Sequence, residues 1–431
     1  MAITITDQPN PLTVKGQKLI YTATSTKSGA INIKYIVEVF NGASTSIAKL
    51  YIPQNPQGVL IFDLAEIIRE EVKVDTEDYD NQGLIHTLPN ASLKFMSKAA
   101  KGIDYYTIKI GEVYGDPLVE YIGLSTSYKY ITSGALQARE GYKNPLTNYI
   151  ASSSSVKGFL TERQASVNNT IDKDLIEVKS SELDYGSLAV WNDSTVLSST
   201  ATRLRYRIYD STGALFGSQT FSFSTLYASD TPGSTTISAK LTYFGAFPGN
   251  INEANHPVTT KPSTLPGWKY YTWELLDSGS SPVSQPIIIL NTPNPCKHNP
   301  VTLAWANSLG AWDYFRLDAR TGRTITTTAK NYQKTLGDYS NSTYDFNTWD
   351  RQRVPYQVDA KLRYSLNSES LTKEDTQLLK NVIKSKNVML YIDEAWLPVT
   401  VITSSFRYET ETISRRLTAS FEVELSQVEQ C

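Results

Sequence analysis

The most informative stretch of the chain is Trp305-Ala-Asn-Ser-Leu-Gly-Ala-Trp-Asp-Tyr-Phe315, together with the strand and helix patterns that follow it. The large rings of Trp305, Trp312, Tyr314 and Phe315 are suited to packing inside a core or between subunits. The run contains no group of side chains typical of reaction chemistry. We therefore take these four residues as candidate interface or core aromatics, since aromatic content alone does not separate the two roles.

The chain after this run carries the longest readable pattern. Thr372, followed by acidic residues and an apolar stripe, predicts a helix near 372–385. The apolar stretches 388–392 and 396–402 flank Asp393-Glu394 and predict a hairpin. A β-sandwich-like unit with one packed helix is the expected result.

The first part of the chain also alternates apolar and polar residues, most clearly over 31–39, which indicates a half-buried strand. Asp63, with Glu66 three residues later, predicts a capped helix near 63–73. The acidic tract 75–80 follows this helix. It lacks the glycine and glutamate of a calcium-binding loop, so we predict an ordinary solvated loop there.

These patterns predict a mainly β, multi-domain protein built of β-sandwich-like units with a few short helices packed on them. A length of 431 residues suits about three domains on a prior of roughly 150 residues each. A serine-rich stretch after residue 150 marks the first boundary. We predict domains at 1–150, with the helix near 63–73, at 151–286, and at 287–431, with the helix near 372–385.

The composition limits which partners and cofactors are expected. Lys plus Arg total 41 against 43 Asp plus Glu, a formal net charge of -2, so specific nucleic-acid binding is not expected. No stretch approaches the roughly 20 apolar residues of a membrane span, and we expect a protein made in the cytoplasm. The two cysteines, Cys296 and Cys431, and the three histidines are too few and too scattered for a metal site, so no cofactor is expected.

Signals of catalysis are weak. Nucleophilic hydrolysis needs a nucleophile beside a base, and the chain has few histidines, no Gly-x-Ser-x-Gly and no phosphate-binding glycine loop. Glycoside hydrolysis needs two carboxylates, and five aspartates lie near Trp312 and Trp349, which could stack on sugars. These aspartates are Asp313, Asp318, Asp338, Asp345 and Asp350. We interpret the set as core tryptophans with loop aspartates and expect no enzyme.

Four segments spread over most of the chain carry a family resemblance. They are 55–68, Gly-Glu-Val-Tyr-Gly at 111–115, Phe159-Leu-Thr161 and 305–315. The chain resembles tail structural proteins of tailed phages that infect Bacteroidetes. The resemblance implies a hub, ring or baseplate-like subunit of the virion tail, forming a symmetric homo-oligomer, of six or more copies, that docks other tail proteins.

Two further functions stay open. A receptor- or carbohydrate-binding module of the tail predicts exposed Trp or Tyr platforms for a glycan receptor, whereas a structural subunit predicts rings buried within or between subunits. A glycosidase predicts one carboxylate on which activity depends.

Overall fold

The structure is a computed structural model that describes residues 3–42, 44–78, 83–89, 95–126, 128–134, 145–191, 199–223, 240–293, 298–337, 344–369, 371–403, 418–427 and 429–430. The protein is mainly β, with 47% of residues in strands and 10% in helices, in several sheets with only a few short helices. The predicted fold class is therefore confirmed. Cys296, Cys431 and Asp338, considered above, lie outside the described residues.

The chain divides into two compact units. Unit 1 consists of Met1–Pro293 together with Ala306–Tyr314, and unit 2 consists of Asn294–Trp305 together with Phe315–Cys431. The finer division of the first 286 residues at position 150 stays a prediction. In the part of the chain that the structure describes, no helix is long and apolar enough to cross a membrane.

The first half of unit 1 is a sandwich of two sheets. Its elements are β1 (Ile3–Asp7), β2 (Leu12–Val14), β3 (Ile20–Ser25), β4 (Lys34–Phe40), β5 (Ser46–Pro53), β6 (Val59–Asp63), α1 (Ala65–Ile68), β7 (Met96–Lys98), β8 (Ile103–Tyr114), β9 (Val119–Ser125) and β10 (Lys129–Thr132). One sheet has the order β1-β3-β6, and the other has the order β2-β10-β8-β4-β5, with β9 also paired to β8. Alternate residues of both sheets, such as Tyr21, Val37 and Ile108, form a common core because strand side chains point to opposite faces in turn.

The region predicted as a helix near 63–73 holds α1, followed by a 3₁₀ turn over Arg69–Glu71. The predicted capping box is wrong, because the N-cap is Leu64 and no side chain caps the helix. The Asp63 carboxylate instead accepts from the backbone N–H groups of Leu19 (2.9 Å) and Ala65 (3.0 Å). It therefore joins the start of the helix to the chain entering β3.

The second half of unit 1 adds two more sheets. Its elements are β11 (Ile176–Ser180), β12 (Ser187–Trp191), β13 (Arg203–Tyr209), β14 (Leu215–Ser222), β15 (Leu241–Gly245), α2 (Pro248–Asn252), β16 (Tyr270–Leu276) and β17 (Ile287–Asn291). One sheet has the order β11-β17-β16-β13-β14, and the other has the order β12-β15-β7. The Trp273 ring packs against Tyr206 (5.0 Å) and edge-on against Phe244 (5.5 Å), so aromatic contacts join the two layers.

Unit 2 is organised around one large sheet. Its elements are β18 (Val301–Ala306), β19 (Trp312–Leu317), β20 (Gly322–Gln333), β21 (Arg353–Asn367), α3 (Lys373–Lys384), β22 (Val388–Ile392), β23 (Ala395–Val401), β24 (Ser420–Leu425) and β25 (Glu429–Gln430). The last residue of β18, Ala306, and the first three residues of β19, Trp312–Tyr314, are assigned to unit 1. The order is β19-β18-β22-β23-β24-β21-β20, with β25 also paired to β21. Leu378, Leu379 and Val382 of α3 belong to the same core cluster as Phe421 and Val423 of β24.

Two local devices in unit 2 follow their sequence signals. The Thr372 hydroxyl accepts from the Asp375 N–H (3.0 Å), and the Asp375 carboxylate accepts from the Thr372 N–H (3.3 Å), which is a capping box. The predicted hairpin is formed by β22 and β23, with positive φ at Asp393 (50°) and Glu394 (62°). A two-residue hairpin loop with two positive φ values matches the twist of the flanking strands.

Candidate functional site

The four aromatic residues singled out from the sequence divide between two cores. Trp305 is fully buried in the core cluster of unit 2, and Phe315 is partly buried against the same cluster. Trp312, 2% exposed, and Tyr314 are buried in unit 1. We call Ala306–Tyr314 the inserted segment, because it belongs to unit 1 while the chain on either side of it belongs to unit 2.

A tight turn shapes the inserted segment. The side-chain oxygen of Asn307 accepts from the N–H groups of Leu309 (3.1 Å) and Ala311 (3.0 Å), and the Asn307 N–H donates to the Ala311 carbonyl (2.8 Å). Gly310 has φ = 87°, and a Cβ there would lie 2.3 Å from the Thr132 hydroxyl oxygen. Glycine is required for both reasons.

Asp313 fixes the segment through its carboxylate. The two oxygens accept from the Thr161 hydroxyl, the Glu162 N–H (3.0 Å) and the Asn307 side-chain amide (3.2 Å). Burial raises the pKa of this carboxyl, and these donors counteract the shift. Arg163 donates to the Tyr314 carbonyl (2.9 Å). The polar groups carried into the interior therefore have partners, as buried polar groups require.

Trp312 and Tyr314 surround His86. The His86 ring meets Trp312 edge-on at 4.7 Å, and its Nδ1 is hydrogen-bonded to the Tyr314 hydroxyl (2.7 Å). The same hydroxyl is hydrogen-bonded to the Ser187 hydroxyl (2.9 Å). Burial lowers the pKa of His86 to about 3 and raises the pKa of Tyr314. His86 is therefore a neutral core residue at neutral pH.

The acidic tract contains a second buried carboxylate, and the prediction of a solvated loop is wrong at Asp75 and Asp78, whereas Glu77 is exposed and residues 79–80 lie outside the described residues. Asp75 and Asp78 are both buried. Asp75 accepts from the N–H groups of Ala100 (3.0 Å), Lys101 (2.6 Å) and Gly102 (3.1 Å), and its backbone carbonyl accepts from Trp312 Nε1 (2.6 Å). Burial raises the pKa of the Asp75 carboxyl to about 6. Sequence patterning missed this role because the donors come from about 25 residues away or more.

The Ser187–Tyr314–His86 chain has the residue types of a proton relay, but all three side chains are enclosed by protein. Because these side chains are buried and hydrogen-bonded to one another, we interpret the chain as a structural hydrogen-bond network. His256 is also buried, and burial lowers its pKa to about 3. Among the described residues, no group of three or more His, Cys, Asp or Glu is placed to hold a metal ion.

The remaining aspartates of the glycosidase hypothesis do not share one environment. Asp313 is buried in unit 1, whereas Asp318 is paired with Arg316 in unit 2 (2.6 Å). Asp345 is exposed, and the Asp350 carboxylate accepts from the Asn347 N–H (2.8 Å). Asp313 therefore belongs to a different unit from the other three described aspartates.

Unit 2 contains a long exposed hairpin. We call it the arm: β20, β21 and the described residues between them. From Arg323 to Gln333 every residue of β20 is exposed. Large apolar side chains that are also exposed on the arm are Ile325, Tyr332, Tyr344, Phe346, Trp349 and Tyr356. The arm is therefore the main candidate for an interaction surface in unit 2.

The base of the arm is anchored to its own sheet. Arg323 of β20 is paired with Asp393 (2.8 Å), and its guanidinium lies 5.6 Å from the centre of the Tyr364 ring. Lys361 and Arg363 of β21 both pair with Glu424 of β24 (2.8 and 3.0 Å). These ion pairs hold the base of the arm to neighbouring strands of the same unit.

Comparison with known proteins adds no family. No model of a protein family matches the chain, and no curated protein matches it.

Proposed function

We propose that this chain is a structural subunit of a phage tail, working as a hub, ring or adaptor that forms a symmetric homo-oligomer and docks neighbouring tail proteins. Its place is then the tail of the virion, after synthesis in the host cytoplasm. The proposal takes its biological context from the resemblance of the four sequence segments. Its physical support comes from the arm and from the enclosed polar networks.

The single observation that carries the proposal is the contrast among the tryptophans. The chain has 7 tryptophans. Six of them are buried, and the seventh, Trp349 on the arm, is 76% exposed. Phe346 and Tyr356 are exposed on the same hairpin. Large rings grouped on an exposed hairpin are typical of a surface that another protein subunit covers.

The buried groups support a mechanical role. The network around Asp313 uses its carboxylate to hold the inserted segment, and the His86 network lies inside unit 1. Both networks use carboxylate, imidazole and hydroxyl groups for contacts inside the protein, whereas catalysis would need such groups at an accessible surface. We therefore infer that the function is geometric, in which subunit contacts create the working assembly.

Light scattering of the purified full-length protein, with electron microscopy of the same sample, tests the proposal. A closed oligomer of defined copy number is expected. The variant Phe346→Ser/Trp349→Ser is expected to lower the oligomer mass, while Leu183→Ser, which changes an exposed apolar residue of unit 1, serves as the matched control. A monomer at every concentration would contradict self-assembly.

Trp349 also favours a second candidate, a receptor- or carbohydrate-binding module. An exposed indole can stack on a sugar, and Tyr344 and Phe346 lie near it in sequence with their own rings 6.0 Å apart. A glycan array tests this candidate. Reproducible binding that Trp349→Ala removes and Trp349→Tyr retains would support it, and the absence of any glycan signal from the wild-type protein would count against it.

A further inference from the structure

Among the described residues, nothing protects the outer edge of β20 in the way that edge strands are usually protected. In the described part of the chain, β20 is the last strand of the sheet and pairs only with β21. Between Arg323 and Lys330, the stretch Thr324–Ala329 reads Thr-Ile-Thr-Thr-Thr-Ala, with no charge, proline or glycine. Natural edge strands are usually blunted by such residues, since bare edges pair with other strands. The bulge between Lys330 and Asn331 lies beyond this stretch.

At this stretch, one face of the arm is largely apolar. Cross-strand partners share a face, and the pairs Ile325–Leu362, Thr327–Ala360 and Ala329–Val358 make one face, which we call the apolar face. Leu362 packs against the core cluster of unit 2, so the apolar face continues that core outward. Ile325, 69% exposed, lies where this continuation meets water.

We propose that β20 pairs antiparallel with β20 of a second copy of this chain, about a two-fold axis at Thr327. In this register Ile325 faces Ala329 of the second copy on the apolar face, and Thr326 faces Thr328 on the other. Lys330 faces Thr324, and Arg323 faces Asn331, so no like charges meet. Strand addition satisfies the edge amides and carbonyls and joins the two apolar faces.

A second copy is the favoured partner because the edge is complementary to itself. An antiparallel pair of identical strands is symmetric by construction, which suits the isologous contact of a two-fold oligomer. The charged residues next to the stretch also have partners within their own chain: Arg323 pairs with Asp393, and Lys330 donates to the Gln357 side chain (3.1 Å). This inference rests on the proposed self-assembly and names one contact within it.

A charge-swap experiment on Thr327 tests the axis. This residue is exposed, and it would face its own copy across the axis. Thr327→Lys alone and Thr327→Glu alone are each expected to weaken self-association by about tenfold or more, because like charges then stand directly opposite. An equimolar mixture of the two variants is expected to recover the wild-type mass in light scattering.

The matched controls are Thr335→Lys and Thr335→Glu, which place the same charges on the exposed end of the arm outside β20. They are expected to keep the wild-type mass, and circular dichroism verifies that all variants are folded. If both Thr327 variants keep the wild-type mass, the edge contact is overturned while self-assembly through another surface stands. If they dissociate and the mixture does not recover, pairing of β20 with itself is overturned. A wild-type monomer overturns both proposals.

Discussion

The inserted segment and the arm follow one another along the chain, and both carry large aromatic rings, yet their surroundings are opposite. Trp312 is 2% exposed within unit 1, whereas Trp349 on the arm is 76% exposed. Beside Trp312, the Asp313 carboxylate accepts hydrogen bonds from three donors, and the Asn307 side chain closes the turn. A segment enters a core only when its polar groups find partners there, and aromatic content does not report this.

The largest expected effect compares the two tryptophans directly. Trp312→Ala is expected to lower the free energy of unfolding of unit 1 by about 3–5 kcal/mol, because a buried ring and its hydrogen bond to Asp75 are lost. Trp349→Ala is expected to change stability by no more than about 0.5 kcal/mol. Urea unfolding followed by hydrogen-exchange mass spectrometry reports each unit separately. Equal losses of stability in the two variants would contradict the difference in burial between Trp312 and Trp349.

The next effect concerns the carboxylates of the same two regions. Asp313→Ala is expected to destabilise unit 1 by about 3 kcal/mol, because the donors of Thr161, Glu162 and Asn307 are left buried without their acceptor. The control, Asp345→Ala on the exposed arm, is expected to stay within about 0.5 kcal/mol. The same urea titrations measure both, and a neutral Asp313→Ala would mean that water replaces the carboxylate.

A pH dependence sharpens the comparison through His86. Its folded pKa of about 3 lies below the ordinary value of 6.5, so the unfolded chain binds a proton first as the pH falls. The stabilising contribution of neutral His86 is therefore present above pH 6.5 and is lost toward pH 3, by about 1.4 kcal/mol per pH unit.

Unfolding of unit 1 between pH 7 and pH 4 measures this slope in the wild-type protein and in His86→Gln. The variant is expected to lose the part of the slope that His86 contributes and to keep the part that His256 contributes. His298→Gln is the control, because His298 is exposed. An unchanged slope in His86→Gln would show that the buried imidazole already takes up a proton in the folded unit.

The smallest expected effect lies at the base of the arm. The side chains of Arg323 and Asp393 are 52% and 66% exposed, so breaking their pair with Arg323→Ala is expected to cost at most about 1 kcal/mol. The cost is expected to fall as salt is added, because exposed charges are screened. A double-mutant cycle with Asp393→Asn measures the coupling, and a much larger value would mean that the arm depends on this pair for its position.

Sequence reasoning succeeded where the signal is local. The capping residues at Thr372 and the turn at Asp393-Glu394 act within a few residues, so their structures follow from their neighbours. It fails at Asp63, whose carboxylate accepts from the Leu19 N–H just before β3, and at Asp75, which is buried rather than solvated. In both cases the partner is distant in sequence, and no pattern of neighbouring residues reports it.

The sequence indicates only part of the candidate interaction surface. The sequence marks Trp349 as a candidate for stacking on sugars, but no pattern marks the arm as a whole, although Thr324–Ala329 has the β-branched and uncharged composition of a strand. Such a composition predicts a strand without saying whether a neighbour covers it. The position of β20 at the end of the sheet makes the same residues an exposed edge.

Sequence alone was sufficient for the mainly β class, the cap at Thr372 and the turn at Asp393-Glu394, since these depend on the alternation and backbone preferences of adjacent residues. Tertiary structure alone decided that Trp305 and Trp312 enter different cores, that Asp75 and Asp313 are buried, and that Trp349 stays in water. The physical reason is that burial is a property of distant partners. A ring or a carboxylate leaves water only where chain far from it in sequence supplies the packing and the hydrogen bonds that water would otherwise provide.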